Sequence, residues 1–301
     1  MLRSLLLDLS GREFPKKVLS SAGSRLASRF IAGEKVDDAL RVCRRLNEDG
    51  FAVTMDCLGE SVRQVAEAEA ACEVYLHLLD RLAGEKLASH VSVKLTQLGL
   101  AMDEDLARRN LQRIAERAAQ HRNFVRVDME GSAYTEATLR VFAQANAPRE
   151  VVGIAIQAYL RRAAGDVEEL LKRRARIRLV KGAYQEPPEI AFAQKRDVDR
   201  NYLELSRRLL SSGISHAIAT HDERIIAALL EFVRQQGIAP GAFELQMLYG
   251  IRRRLQRDLL RQGWRVRIYV PFGPEWYAYF MRRLAERPAN LLFVLRNLFR
   301  A

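Results

Sequence analysis

The sequence predicts a single TIM-like (β/α)8 barrel, because short apolar segments rich in β-branched residues alternate with longer segments of helical periodicity. The chain of 301 residues is long enough for one such barrel, and it contains no Pro/Gly/Ser-rich linker that would divide it. Strands are predicted at 51–57, 90–96, 124–130, 152–159, 176–183, 215–222, 243–249 and 265–272.

Helices are predicted between consecutive strands, for example at 61–82, 103–120 and 222–236, where apolar residues recur at the spacing of one helix face. Alternating strands and helices imply a parallel sheet with right-handed crossovers, and eight such units close a barrel. A doubly wound open sheet is the alternative. A dinucleotide-binding sheet of that kind would carry a glycine-rich first turn, and neither GxGxxG nor GxxxxGKS/T occurs in this sequence.

The barrel is expected to occupy 51–288, with extra helices in an N-terminal arm at 1–50 and a closing C-terminal amphipathic helix at 289–301, all within one structural domain. The closing segment is apolar with Arg296 and Arg300 on one side, so it suits either a membrane surface or a protein partner. Docking on its own barrel, or on a second subunit in a homo-oligomer, is the favoured interpretation, because short apolar terminal helices usually find a protein partner.

The charge balance is basic, since 49 Lys and Arg against 37 Asp and Glu give a net charge of +12. The arginines are spread along amphipathic segments and form neither a basic tail nor a basic motif interleaved with aromatic residues. No nucleic-acid partner is therefore expected, and the excess is interpreted as solvated helix faces. No apolar run approaches the roughly 20 residues that cross a bilayer, so a membrane-spanning segment is not expected.

The cysteines indicate a reducing compartment. Cys43, Cys57 and Cys72 show no metal-ligand spacing and cannot all pair with one another. Asp8 interrupts the short leucine-rich start of the chain, which argues against a secretory signal. A cytoplasmic location is therefore expected, with a peripheral position on the inner face of the membrane as the alternative.

Polar residues collect at the carboxyl ends of the predicted strands, which is where the chemistry of such barrels takes place. Any one of them has an ordinary structural explanation, because a strand-end Asp often caps the next helix and a lone His is more often a hydrogen-bonded core residue. Their concentration on one rim predicts an active site. The residues are Lys94, Asp128, Glu130, Gln157, Tyr159, Lys181, His221, Asp222 and Tyr269.

Four interpretations apply to this rim. No metal is expected, because the five histidines show neither HxH nor HExxH spacing. Lys94 and Lys181 both suit a Schiff-base aldolase or lyase by position, and a basic binding protein without catalysis is a third reading. The small residues Gly182 and Ala183 after Lys181 favour instead the close approach of a cofactor ring or pyrophosphate.

A helix predicted near the C-terminus carries Tyr279, Arg282, Arg283 and Glu286, which spacings of three and four place on neighbouring faces. Two adjacent arginines commonly form a solvated face. If the helix covers the barrel mouth, their guanidinium groups suit a carboxylate substrate, because a guanidinium donates two parallel hydrogen bonds.

Several of these segments resemble the successive signature blocks of the flavin-dependent proline dehydrogenases of the monofunctional bacterial type. The likeness runs in order from about residue 30 to the C-terminus. Its blocks are VTMDCLGE (53–60), VSVKLTQLGL (91–100), DMEGSAYTEATL (128–139), IAIQAYL (154–160), RLVKGAYQEP (178–187), ATHDERII (219–226), FELQMLYG (243–250) and YVPFGPEWYAYFMRRLAERPAN (269–290).

The resemblance implies an FAD enzyme that oxidises L-proline to Δ1-pyrroline-5-carboxylate by hydride transfer to flavin N5. It also implies a quinone as electron acceptor and a pyrroline-5-carboxylate dehydrogenase that takes the product. Carried over residue by residue, it assigns catalysis to Asp128 and Arg178. Substrate binding falls to Lys94, Tyr184, Leu248, Tyr269, Tyr279, Arg282 and Arg283, and flavin contacts fall to Met129, Gln157, Lys181, Gly182, Ala183, Thr220 and His221.

Two hypotheses about roles follow from the resemblance. Asp128 is expected to orient Lys94 or an arginine by ion pairing, and Arg178 to lie near flavin N5 and stabilise the reduced ring. The sequence departs from the family pattern at Gln185, where members often carry Trp, and at 251–260, which is unusually basic. These departures affect local contacts.

Overall fold

The computed structural model describes residues 28–59, 62–145, 151–277, 279 and 280. Eight strands occur in this part of the chain: β1 (Ala52–Cys57), β2 (Ser89–Val93), β3 (Val125–Val127), β4 (Val152–Gln157), β5 (Arg176–Val180), β6 (Ala217–Ala219), β7 (Glu244–Leu248) and β8 (Val266–Phe272). Its helices are α1 (Val36–Glu48), α2 (Val65–Gly84), α3 (Glu104–Gln120), α4 (Ser132–Gln144), α5 (Ala163–Lys172), α6 (Lys195–Leu210), α7 (Glu223–Gln235) and α8 (Arg253–Arg261).

The strands form a closed parallel barrel in sequence order, and β8 pairs with β1 to complete it. The predicted (β/α)8 barrel is confirmed. The expected helices of the N-terminal arm before residue 28 and the closing helix at 289–301 lie outside the described residues. The proposed domain limits therefore stay a prediction. Within the described part of the chain, no helix is both long enough and apolar enough to cross a membrane.

Two strands are much shorter than the sequence predicted: β3 and β6 have three residues each. The predictions ran to residues 130 and 222, but the residues at these ends bond outside the sheet. Glu130 accepts a hydrogen bond from the backbone N–H of Thr96 at 3.1 Å. Asp222 caps α7 by accepting from the N–H of Arg224 at 3.2 Å. These two contacts with neighbouring segments end the strands early. The alternation of apolar residues, from which strands are predicted, does not indicate such contacts.

The apolar core lies between the sheet and the helices, whereas the barrel interior is polar. Fully buried residues such as Val53, Met55 and Val91 belong to the core cluster. The alternate positions of several strands carry charged or amide groups, and their hydrogen bonds cross the barrel. Arg178 on β5, for example, donates to Ser92 on β2 and to Gln246 on β7. Such contacts between strands that are not neighbours require both side chains to point into the interior.

The outer helices are joined by exposed ion pairs, which agrees with the interpretation of the arginines as solvated helix faces. Each pair of this kind contributes only about 0–1 kcal/mol. The pairs between consecutive helices include Arg81–Asp37 (2.9 Å), Arg117–Asp80 (2.5 Å), Arg140–Glu104 (2.5 Å) and Arg162–Glu136 (2.7 Å).

Gly153 on β4 leads to a stability prediction, because a β-carbon there would overlap the carbonyl oxygen of Arg176 and crowd the Arg126 guanidinium. Gly153→Ala is expected to lower the free energy of unfolding by about 1–3 kcal/mol, the usual cost of overpacking. Urea denaturation measures it. Gly165→Ala in α5 is the matched control, because no atom lies within 4 Å of its β-carbon position. That change should stabilise the helix by about 0.5–1 kcal/mol. Equal effects of the two changes would refute the packing argument.

Candidate active site

A cavity of about 460 Å³ lies at the carboxyl ends of the strands, within the range of small-molecule sites. Every described residue to which the family resemblance assigned a catalytic, substrate-binding or flavin-binding role lines this cavity, whereas the rim residues Glu130 and Tyr159 do not. The residues with an assigned role are Lys94, Asp128, Met129, Gln157, Arg178, Lys181, Gly182, Ala183, Tyr184, Thr220, His221, Leu248, Tyr269 and Tyr279. Arg282 and Arg283 lie outside the described residues. The structure thus brings the described candidates together, although their individual roles stay proposals.

Asp128 occupies the centre of the polar wall. Its Oδ1 accepts hydrogen bonds from Nη1 of Arg178 at 2.5 Å and from the hydroxyl of Ser92 at 2.8 Å. Its Oδ2 accepts from the hydroxyl of Tyr269 at 2.8 Å. Burial, together with the negative charge of Asp128, raises the pKa of Tyr269 well above its usual value. Tyr269 therefore keeps its proton and acts as a donor to Asp128.

Lys94 is buried at the same wall, and its nearest carboxylate is one that the sequence analysis missed. Its Nζ lies 2.7 Å from Oδ2 of Asp56 and 3.8 Å from Oδ2 of Asp128. Asp56 is fully buried, and complete burial raises the pKa of its carboxyl, which Lys94 opposes. Asp128 therefore pairs closely with Arg178, whereas Asp56 holds Lys94. A carboxylate within the otherwise apolar strand segment VTMDC was the one sequence signal for this residue.

Lys181 follows β5 and joins two neighbouring helices. Its Nζ lies 2.5 Å from Oδ1 of Asp199 on α6 and 3.0 Å from Oδ2 of Asp222 at the start of α7. Partial burial raises the pKa of both carboxyls, but the hydrogen bonds and charges of Lys181 and Lys195 together hold each pKa below its usual value. Both lysines of the cavity thus contact two carboxylates, an arrangement that suits an ammonium ion. A Schiff base needs a neutral amine, so this geometry disfavours the aldolase alternative.

Gly182 is needed for a different reason from the one expected. Its backbone has a φ of +119°, and a β-carbon there would overlap the ring of Tyr159. A side chain is excluded on both counts. The space beside the α-carbon is therefore filled by Tyr159, so the interpretation of Gly182 as clearance for a ligand is wrong on that face. Gly182 and Ala183 nevertheless line the cavity with their other atoms.

Glu186 connects the loop after β5 to the start of α4 by hydrogen bonds. The sequence analysis did not single out this residue. One carboxylate oxygen accepts from the backbone N–H of Ser132 at 2.7 Å, and the other accepts from the Ser132 hydroxyl. A carboxylate at a helix N-terminus is favoured by the helix dipole. Glu186 therefore fixes the loop that carries Tyr184 against the cavity.

Other rim side chains are oriented by hydrogen bonds within the protein. The N–H of Leu248 donates to Nε2 of His221 at 2.9 Å, so that ring nitrogen carries no proton. The amide of Gln157 donates to the carbonyl oxygen of Glu130 at 2.8 Å. The Glu130 side chain accepts from Thr96 and does not line the cavity, so this rim carboxylate has a structural role.

Fold and site together define a barrel enzyme that binds a small polar ligand at the carboxyl ends of its strands. A family model described as proline dehydrogenase matches residues 39–296 of the chain. The chain belongs to the proline dehydrogenase family and is an oxidoreductase. The family resemblance read from the sequence is thereby confirmed.

Relatives of the same length support this membership. Proline dehydrogenase 1 of Bacillus subtilis (strain 168) is 41% identical over 301 residues, 100% of both chains. Proline dehydrogenase of Deinococcus radiodurans is 39% identical over 303 residues, covering 99% of this chain and 98% of the relative. The solved structure of proline utilization A (PutA) from Bdellovibrio bacteriovorus, inactivated by N-propargylglycine, matches with a TM-score of 0.82 and 30% identity. That match covers 87% of this chain but 32% of the longer protein, whereas the monofunctional relatives are matched over nearly their whole length.

The pair between Lys94 and Asp56 leads to a second stability prediction. Asp56→Asn keeps the side-chain shape but removes the carboxylate 2.7 Å from Nζ of Lys94, while Oδ2 of Asp128 lies farther away, at 3.8 Å. The free energy of unfolding should fall by about 3–5 kcal/mol, the usual cost of breaking a buried ion pair. Urea denaturation without added ligand measures this loss.

Glu73→Gln is the matched control, because it removes the charge of an ion pair with Arg113 whose side chains are 62% and 44% exposed. Exposed pairs contribute about 0–1 kcal/mol, so this variant should be almost as stable as the parent. Equal losses in the two variants would mean that the buried pair of Lys94 and Asp56 contributes no more to stability than an exposed pair.

Proposed function

We propose that this chain catalyses the FAD-dependent oxidation of L-proline to Δ1-pyrroline-5-carboxylate and passes the electrons to a quinone. The observation that carries the proposal is the convergence of Lys94, Asp128, Arg178 and Tyr269 on a cavity that the loop after β5 also lines. Membership of the proline dehydrogenase family supports the same reaction.

The residues proposed to hold FAD fit a flat ring with polar edges. Met129, Met247 and Leu248 give the cavity apolar surface, and Lys181 contributes an ammonium group. Cofactor contacts are proposed for Met129, Gln157, Lys181, Gly182, Ala183, Thr220 and His221. Their side chains and backbone are already fixed, for example by the bonds from Lys181 to Asp199 and from Leu248 to His221. FAD, when bound, supplies the acceptor for a hydride from the substrate carbon beside nitrogen.

The wall around Asp128 is proposed to bind the amino acid. Lys94 offers a positive charge to the substrate carboxylate, and Asp56 holds it in place from behind. The hydroxyl of Tyr269 is fixed by Asp128, which leaves its ring to pack against the proline ring together with Tyr184, Leu248 and Tyr279. Orientation of this kind is what hydride transfer requires, because the reacting atoms must be held within a few tenths of an ångström.

Asp128 and Arg178 are proposed as the catalytic residues. Arg178 is 3% exposed and reaches the cavity from β5, so its charge acts in a poorly solvated site where electrostatic stabilisation is strong. Asp128 fixes this guanidinium and also keeps the proton of Tyr269 on its hydroxyl oxygen through the hydrogen bond between them.

The remaining partners are proposals that rest on the sequence. A pyrroline-5-carboxylate dehydrogenase would take the product, and the enzyme would act in the cytoplasm or on the inner face of the membrane. Residues 289–301 are proposed to dock on the barrel or on a second subunit. Co-sedimentation with liposomes that is lost when 289–301 is deleted would favour the membrane surface instead.

The reaction is tested by an anaerobic absorption spectrum of the FAD-reconstituted protein before and after addition of L-proline. We expect the flavin bands to bleach with L-proline and to stay intact with D-proline, since the substrate must be held in one orientation. Flavin bands that survive L-proline would move the substrate assignment to another amine. Failure to bind FAD would overturn the cofactor assignment itself.

The proposed grip of Arg282 and Arg283 on the substrate carboxylate makes a separate prediction. Replacing either with Ala should weaken L-proline binding by about 2–5 kcal/mol, as expected when one partner of a buried charge pair is removed. Flavin bleaching titrations measure the apparent affinity. Arg254→Ala is the control, because that side chain is 92% exposed on α8. Unchanged affinity in the Arg282 and Arg283 variants would reject their assignment.

A further inference from the structure

Three buried side chains behind Arg178 have no role in the reaction described so far. Gln246, Glu244 and Arg267 are each 4% or 5% exposed and lie on β7 and β8. They form a chain of hydrogen bonds that ends on Arg178. Nε of Arg178 donates to Oε1 of Gln246 at 2.6 Å, and Nε2 of Gln246 donates to Oε1 of Glu244 at 2.6 Å.

The far end of this chain is anchored in the barrel wall. Nε of Arg267 donates to both carboxylate oxygens of Glu244 at 2.9 and 3.0 Å, and its Nη1 donates to the carbonyl oxygen of Val53 at 2.6 Å. Burial raises the pKa of Glu244, but Arg267 outweighs it and holds the pKa far below its usual range. Glu244 is therefore a carboxylate that only accepts hydrogen bonds.

The Gln246 amide has only one orientation that satisfies both neighbours. Arg178 has donors and no acceptor, so the amide oxygen must face it. Glu244 accepts only, so the amide NH₂ must face Glu244. The pair of Glu244 and Arg267 therefore fixes the orientation of the Gln246 amide, and this amide in turn fixes the orientation of the Arg178 guanidinium.

Arg178 is consequently attached at two different nitrogens. Nε donates to Gln246, and Nη1 donates to Asp128 and Ser92. Nη2 donates to no residue in the described part of the chain, while Arg178 lines the cavity. Attachment through Nη1 alone would let the guanidinium plane turn about that point. The second attachment at Nε fixes the plane and leaves Nη2 to donate to a ligand in the cavity that Arg178 lines.

We propose that Gln246 is a positioning residue that fixes the guanidinium plane of Arg178, with Glu244 and Arg267 as its anchor in the barrel interior. The inference rests on the proposed function, in which Arg178 acts on the bound flavin and substrate. Loss of Gln246 would leave the charge of Arg178 in the cavity but misdirect Nη2, and misplacements of about 1 Å can cost on the order of 10²-fold in rate.

The test compares Gln246→Met with the parent enzyme, both loaded with FAD, by anaerobic stopped-flow reduction with L-proline and by measurement of the flavin midpoint potential without substrate. Gln246→Met keeps the length of the side chain and removes both hydrogen bonds. The limiting reduction rate should fall by roughly 10- to 100-fold, whereas the apparent Kd for proline should change much less. The midpoint potential should become more negative, because a misdirected Arg178 stabilises the reduced ring less.

Asn110→Leu is the matched control for loss of a buried amide, because Asn110 is 2% exposed and donates to the carbonyl oxygen of Leu98 at 3.1 Å, far from Arg178 in the hydrogen-bond network. It should lose stability but keep the reduction rate and the potential of the parent. If Gln246→Met behaves like this control, Gln246 has only a structural role and the proposal is overturned. A parent enzyme whose flavin does not respond to L-proline would instead contradict the proposed function.

Gln246→Glu provides a second test if the Met variant does not fold. Its carboxyl group reproduces both hydrogen bonds only when protonated, since the ionised form has no donor for Glu244. Relative to the parent enzyme, the limiting reduction rate should therefore acquire an additional pH dependence, with the higher rate on the acidic side. A pH profile parallel to that of the parent would overturn the proposal.

Discussion

The structure depends on charge compensation inside the barrel. Buried charges are costly unless each has a partner, and this interior contains Lys94, Arg178 and Arg267 paired with Asp56, Asp128 and Glu244. A further buried cation, Arg126, donates to the carbonyl oxygens of Ile154 and Arg176. The ion pairs join strands that are distant in sequence, so the interior fixes the relative positions of the strands as well as the orientation of the side chains. Apolar packing is left to the layer between sheet and helices, where residues such as Val53 and Val91 lie.

Compensation also limits what the site can bind. Asp56 and Asp128 already balance Lys94 and Arg178 before any ligand arrives. An added carboxylate would bring a further negative charge to this poorly solvated wall, and an additional cation would stabilise it there. Arg282 and Arg283, proposed for that task, would supply this charge from the chain that follows Tyr279. Lys94 would then orient the carboxylate more than neutralise it.

The sequence predicted the order and number of the strands because their helix-facing positions are apolar and recur with the helices between them. It did not predict the ends of β3 and β6, which are determined by rim contacts such as that between Glu130 and Thr96. Asp56, Gln246 and Glu186 were missed for a related reason. Asp56 bonds to Lys94, Gln246 to Arg178 and Glu186 to Ser132, at sequence separations of 38, 68 and 54 residues. No local sequence pattern indicates such a pairing. The motif residues were found because a residue at a strand end has its place fixed once the barrel closes.

The two sides of the cavity are held by different kinds of structure. Arg178 is fixed by side chains on β2, β7 and the end of β3, all within the closed sheet. Lys181 is held by Asp199 and Asp222 at the ends of outer helices, and the following loop is held by Glu186 on Ser132. A closed sheet resists displacement more than helix ends and loops do. Arg178 is thus held by the rigid element, and any adjustment to a ligand would fall on the loop after β5 that Lys181 and Glu186 hold.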